Sequence, residues 1–255
     1  PPAAVEARLR RVTTQGAEFF ETRHRAKDGR FFDIEVSVNF QPESGHFFGF
    51  IRDITARKHT DLYRRLSAKV LQILNENENF SATLENILSA IRKVTGCAAT
   101  GIRLARGEDF PYFIQQGFSA QFLAAEDSLV LRYPDGGICR DDDGNICLEC
   151  TCGLVVSGKT DPANPLFTPN GSCWANDSLP LLHQPAAKDP RQNPRNRCIH
   201  DGFSSVALVP IRTNLGIVGL LQINDHRKGF FTLEATHALE EMASHIGEAL
   251  VRKQT

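Results

Sequence analysis

From Phe32 to Gln41 apolar and polar side chains alternate without a break, with Phe32, Ile34, Val36, Val38 and Phe40 on one side and Asp33, Glu35, Ser37, Asn39 and Gln41 on the other. A period of two is the repeat of a pleated strand with one face buried. Upstream, "EFFETRHRA" runs into "KDG". A three-residue loop with Gly29 in the left-handed conformation places Phe20, Thr22 and His24 on the apolar side, whereas a two-residue turn would bring Glu21, Arg23 and Arg25 there. "HFFGFIRDIT" after the turn "PESG" predicts a third strand and an antiparallel meander. From Thr60 the period becomes that of a helix: Leu62, Leu66, Val70, Ile73 and Leu74 form one stripe, with Thr60 or Asp61 as N-cap. A second amphipathic stretch carries Leu84, Ile87, Leu88, Ile91 and Val94, and a last one carries Leu239, Met242, Ile246 and Leu250 behind Thr232 as N-cap. Between them lie short β-rich runs, "TGIRLAR", "SSVALVPIRT" and "GIVGLLQINDH". Helices outside and antiparallel strands within predict an α+β fold.

The first of these patterns has a specific counterpart. "FETRHRAKDGRFFDIEVSVNF" followed by "GFIRDITARK" resembles the C-terminal part of a PAS sensor domain, with Asp53, Ile54, Thr55, Arg57 and Lys58 as its exit motif. The resemblance covers about residues 4 to 58, so residues 1–58 are assigned to a partial PAS antiparallel sheet. The family's earlier strands and short helices have no counterpart here, and the chain is expected to be a piece of a longer receptor.

Composition narrows the partners. The chain has 255 residues, 41% of them hydrophobic, and its 29 basic and 30 acidic residues leave a formal charge of -1. Such balance gives no electrostatic reason to expect nucleic acid or an anionic membrane. No apolar run approaches the roughly 20 residues that span a bilayer, and no secretory signal is visible, so the expected location is cytoplasmic. Seven cysteines in a chain of this size favour reduced thiols, metal ligation or catalysis over a disulfide framework.

"SVALVPIRTNLGIVGLLQINDHRKGFFTLEATHALEEMASHIGEAL" resembles the last strands and closing helix of a GAF domain. Together with "GIRLARGEDFPYF", "LECTCG", "FTPNGSCWAND" and "RNRC", in that order, it is similar to GAF domains that follow PAS domains in bacterial sensor histidine kinases. The resemblance assigns residues 66–255 to a central antiparallel sheet flanked by helices, and residues 59–80 to a connecting signalling helix. It also implies a homodimer through the helices at 60–75 and 238–252, a downstream kinase domain of the same chain, and an unidentified small-molecule ligand.

The cysteines supply the candidate chemistry. "GGICRDDDGNICLECTCG" holds Asp143-Gly144 between two "IC" runs, a hairpin signal. A two-residue turn there pairs odd with even positions, placing Cys139 on one face with Cys150 and Cys152 and Cys147 on the other. The family resemblance repeats thiols at Cys150, Cys152 and Cys198 but not at Cys139 or Cys147. Cys139, Cys150, Cys152 and Cys198 are therefore the expected metal ligands, their soft thiolates suiting zinc or an iron–sulfur cluster. Inert buried thiols and a redox pair remain open as readings of the same cluster. Cys97 is expected in the core. In the long segment from Lys159 to Asp201, Trp174, Asn176, Arg195 and Arg197 are the expected cofactor-binding residues, with ordinary loop packing as the rival. His200 reads as an exposed loop histidine. The acidic "DDDGN" has glycine at the wrong place for an EF-hand.

No phosphate-binding glycine loop, nucleophile elbow or kinase motif is present. The expected function is the sensory input of a signal-transduction histidine kinase, taking a ligand, metal or redox signal in the GAF domain and without enzymatic activity in this section. The rivals are a GAF-fold thiol enzyme that reduces methionine sulfoxide and a structural dimerisation module.

Overall fold

A computed structural model of the protein describes residues 2–27, 31–76, 79–185 and 189–254. The chain divides into two compact units, Pro1–Leu62 and Tyr63–Thr255.

In the first unit helix α1 (Pro2–Gln15) ends at Gly16, whose φ of 82° lets its N–H return to the Val12 carbonyl at 2.8 Å. Strands β1 (Ala17–Arg25), β2 (Phe31–Gln41) and β3 (His46–Asp53) form an antiparallel sheet in that order. Its register pairs Phe20 with Val36, Thr22 with Ile34 and His24 with Phe32, so the apolar faces expected to share a side do so. Ile34 and Val36 are buried. The loop built on Gly29 lies outside the described residues.

Helix α2 spans Thr55–Glu76, beginning five residues before the expected cap. Asp53 accounts for the earlier start: its carboxylate accepts the Thr55 N–H at 2.9 Å, while Thr60 bonds back to the Ala56 carbonyl inside the helix. The buried stripe also differs by one position. Tyr63 is buried with Leu66, Val70, Ile73 and Leu74, and Leu62 is exposed.

The second unit is a five-stranded antiparallel sheet. In spatial order the strands are β5 (Tyr112–Gln116), β4 (Ala99–Leu104), β8 (Gly216–Asp225), β7 (Ser205–Thr213) and β6 (Cys173–Ala175). On one face it packs α2, α3 (Phe80–Thr95) and α7 (Leu233–Gln254) around Leu88, Ile91, Leu221, Met242 and Ile246, all buried. Asn79 caps α3 by accepting the Ala82 N–H, and Thr232 caps α7 by accepting the Ala235 N–H, each at 3.1 Å. The opposite face carries short helices, α4 (Ala120–Glu126), α5 (Cys150–Val156) and α6 (Arg197–His200), around two smaller apolar clusters. The result is the expected α+β architecture, with a mixed apolar and polar layer on one side of the sheet.

Candidate functional site

That second layer encloses a cavity of about 50 Å³ between α5, α6 and the β6–β7 edge of the sheet. Strand alternation decides what faces it. Cys173 and Ala175 of β6 pair with Leu208 and Val206 of β7, and all four line the cavity. Trp174, between them, pairs with Ala207 and packs into the helix-side core. Trp174, expected over a ligand, therefore lies away from the cavity, and the same alternation turns its neighbours Cys173 and Ala175 toward it.

Cys150, Cys152 and Cys198 also line this cavity, from α5 and α6. They are close enough that ionising one disfavours ionising the others. Cys139 is elsewhere. The hairpin turns through three residues rather than two: Asp141 and Asn145 close it, Gly144 has a φ of 82°, and Arg140 bridges Ile146. Pairing is then odd with odd, and the Cys147 N–H bonds to the Cys139 carbonyl at 3.0 Å. Moreover, residues from Cys150 onward are helical, so strand parity does not reach Cys150 or Cys152. A four-thiolate ion site therefore does not fit this donor set, and among the described residues no group of three or more His, Cys, Asp or Glu side chains is placed to hold a metal ion.

Cys150 opens α5 at a φ of 61°, a left-handed conformation that costs a non-glycine residue free energy. Its own N–H bonds to the Gln192 carbonyl, and its Sγ accepts the Arg195 backbone N–H at 2.8 Å, tight for sulfur. Burial pushes the Cys150 thiol up, against the Asn196 and Arg195 N–H groups, which favour the ionised sulfur. Cys198 is half-buried as a residue, but its thiol is enclosed and pushed up to about 12 by that burial, opposed by the Asn224 side chain. Gln222 Nε2 faces the same sulfur at 3.6 Å. Asn224 is fully buried, and its Nδ2 has no hydrogen-bond partner among the described residues. Burial raises Cys152 well above the ordinary thiol range, with Arg103 opposing, and pushes Cys173 up to about 12.

Glu126, Arg191 and Arg197 line the cavity, whereas Arg195 braces it from outside. Arg195, expected to bind a cofactor, is committed to Glu126 at 3.2 Å and Glu149 at 3.1 Å, and to the Ala125 and Ser128 carbonyls. Asn176 clamps the Phe231 backbone through both its amide oxygen and nitrogen. Arg197 does line the cavity, ion-paired one turn on with Asp201 at 2.8 Å. Glu126 reaches the cavity too, its carboxyl raised by burial despite Arg195 and Arg103. Nothing in the local pattern of "AAED" marks Glu126, since its burial depends on Arg195 arriving from 69 residues away. His200 is exposed.

Asp189 and Arg191 form an enclosed pair at 2.6 Å that holds this loop in place. Burial works to raise the Asp189 carboxyl, but hydrogen bonds from the Arg191 side chain and backbone win and hold it below the ordinary 3.8. Asp225, beside Arg227, is depressed in the same way. A depressed folded-state value means stability that is complete above the unfolded value and lost as pH falls through the folded one. Urea midpoints measured from neutral pH downward are expected to fall below about pH 3.8. Asp189→Asn is expected to reduce that acid-dependent fall while lowering stability at neutral pH; an unchanged acid limb would remove the pair from this account.

Similarity to known proteins agrees with this geometry. A comparison with curated protein sequences gives no match. Among solved structures, the GAF domain of a phosphoenolpyruvate-protein phosphotransferase from Coxiella burnetii superimposes with a TM-score of 0.53 at 13% identity, covering 76% of this chain and 96% of that one. A GAF sensor protein from Burkholderia vietnamiensis gives 0.52 at 12% identity over 76% and 97%. The free methionine-R-sulfoxide reductase of Neisseria meningitidis, solved with its substrate, gives 0.52 at 13% identity over 76% and 92%. The last similarity corrects the expectation that this section is without enzymatic activity, because an enzyme is built on the same fold. Among the described residues no helix is long and apolar enough to cross a membrane. The GAF domain model matches residues 79–250, two thirds of the sequence and the whole of the layered sheet that holds the cavity, so the chain belongs to the GAF domain family.

Proposed function

We propose that the chain is the sensory input section of a signal-transduction histidine kinase, in which the GAF unit receives a small ligand in the thiol-lined cavity and α2 and α7 carry its occupancy onward. The observation that supports this most directly is the cavity itself: it is enclosed by short helices and loop segments, the parts of the fold best able to rearrange, while its floor is the sheet. A ligand that fits one arrangement of α5 and α6 better than another shifts their populations, the minimum requirement for signalling. The PAS resemblance of the first unit and the GAF motifs that follow it support the kinase context. Exposed Leu62 and Leu71 on α2 and Val251 on α7 offer apolar contacts to a second copy.

The test is an NMR titration with acetamide, imidazole and thiourea as small probes. Expected shifts cluster at β7 and α6, and Ala175→Leu, which fills the cavity from β6, removes them. Shifts scattered over the surface, or unaffected by Ala175→Leu, would end the reading. A second reading, a thiol reductase, is favoured by one observation: four thiols and a carboxyl group inclined to stay protonated, Glu126, share the cavity wall on the fold of a sulfoxide reductase.

A further inference from the structure

Two of the three clustered sulfurs have N–H donors aimed at them, from different parts of the chain. Cys150 Sγ meets the Arg195 backbone N–H at 2.8 Å; burial pushes this thiol up on balance, with the Asn196 and Arg195 N–H groups opposing. Cys198 Sγ faces Gln222 Nε2 at 3.6 Å and the fully buried Asn224, whose Nδ2 is otherwise without a hydrogen-bond partner among the described residues. A neutral thiol is a weak acceptor and does not satisfy such donors well. A sulfur that ionises, or that carries an oxygen, does. Of these sulfurs Cys150 is the one held in a left-handed backbone conformation at the cavity wall, the kind of strain that clusters at functional sites.

We propose that Cys150 is an oxidation site for a small hydroperoxide admitted to the cavity, and that Cys198 resolves it as a disulfide. This rests on the reading of the cavity given above and names its signal. The size of the cavity suits a small reagent: about 50 Å³ holds the equivalent of roughly three to five waters, enough for hydrogen peroxide. In the first step Cys150 gives up its proton and its sulfur attacks one peroxide oxygen. The S–O bond forms as the O–O bond breaks, and the departing hydroxide takes the proton and leaves as water. The sulfur has lost two electrons to the peroxide and is now a sulfenic acid. In the second step the Cys198 sulfur, beside Gln222 and Asn224, attacks the Cys150 sulfur as its thiol gives up its proton. The S–S bond forms, the S–O bond breaks, and the hydroxide released takes the Cys198 proton as a second water. Cys152 is the less suitable partner for Cys150, because residues two apart at a helix start point to different sides. A disulfide would withdraw Cys150 Sγ from the Arg195 N–H and free the segment that carries Arg195 into α6.

The experiment treats the reduced protein with hydrogen peroxide, in a Cys139→Ser background that removes the thiol opposite Cys147, then alkylates and maps peptides by mass. The expected result is loss of two alkylatable thiols per chain as a Cys150–Cys198 disulfide, restored by dithiothreitol. Cys198→Ser is expected to leave Cys150 as a sulfenic acid that dimedone traps. Cys150→Gly suits the left-handed backbone better than cysteine does, so it keeps the fold while losing the reaction. A Cys152–Cys198 disulfide, peroxide consumption by Cys150→Gly at the parent rate, or no thiol loss at all would each overturn the proposal. The probe titration separates the two claims: probe shifts abolished by Ala175→Leu with no thiol loss leave the cavity reading intact and sink only the oxidation site.

Discussion

Arg103→Met is expected to cost the GAF unit about 3–5 kcal/mol, a fall in Tm of roughly 10 °C. Arg103 has no exposed surface, and its guanidinium is held by three carbonyl oxygens: Phe110 and Asp127 at 2.9 Å each, and Glu126 at 2.5 Å. It lies 3.7 Å from the centre of the Tyr112 ring, whose hydroxyl donates to Gln222 Oε1 at 2.8 Å. Methionine fills similar space but supplies no donor, so three carbonyls lose a charge-assisted partner in a place water does not reach. The network also runs beneath the cavity, since Gln222 is the residue that faces Cys198. Tyr112→Phe keeps the ring under the guanidinium and removes one hydrogen bond, so it is expected to cost less, about 1–3 kcal/mol. Chemical denaturation checks both values. An Arg103→Met protein within 1 kcal/mol of the parent, on the scale of a single ordinary hydrogen bond, would show that the buried charge is dispensable.

Gly247→Ala carries an expectation of similar size for a different reason. A Cβ at Gly247 would sit 2.0 Å from the Arg212 carbonyl oxygen and 3.0 Å from its carbon, both backbone atoms of β7. No rotamer change relieves that contact, so α7 must move away from the sheet and open the core around Met242 and Ile246. Overpacking that shifts backbone costs about 3 kcal/mol or more. Glu248→Ala, one residue on and exposed, is expected to stay within about 0.5 kcal/mol of the parent. Hydrogen exchange provides the readout: accelerated exchange along α7 and β7 in Gly247→Ala supports the contact, and unchanged protection refutes it.

Much of the fold follows from short-range pattern. The stripes of α3 and α7, the alternation of β2 and the Thr232 cap need only neighbours a few residues apart, and those neighbours are the same in the unfolded chain. Where a local signal admitted two geometries, the choice matched the β1–β2 register but failed at the cysteine hairpin. Asp143-Gly144 suits a two-residue turn, but Asp141 accepts the Asn145 N–H at 2.8 Å and stabilises the longer one, reversing which cysteine faces Cys139. A one-residue difference in a hairpin moves every side chain on one strand to the other face.

The sequence by itself determined the α+β class, the β1–β3 meander, the stripes of α2, α3 and α7 and the strands β4, β7 and β8, and, through family resemblance, that Cys150, Cys152 and Cys198 belong together. Only the tertiary structure decided that Cys173 joins them and Cys139 does not, that Trp174 and Asn176 brace other parts of the fold, and that Arg103 is a buried charge beneath the cavity. Periodicity records which face of an element is apolar. It carries no information on which distant segment will cover the other face, and a cavity wall, a buried ion pair and an unsatisfied amide are all set by that long-range choice.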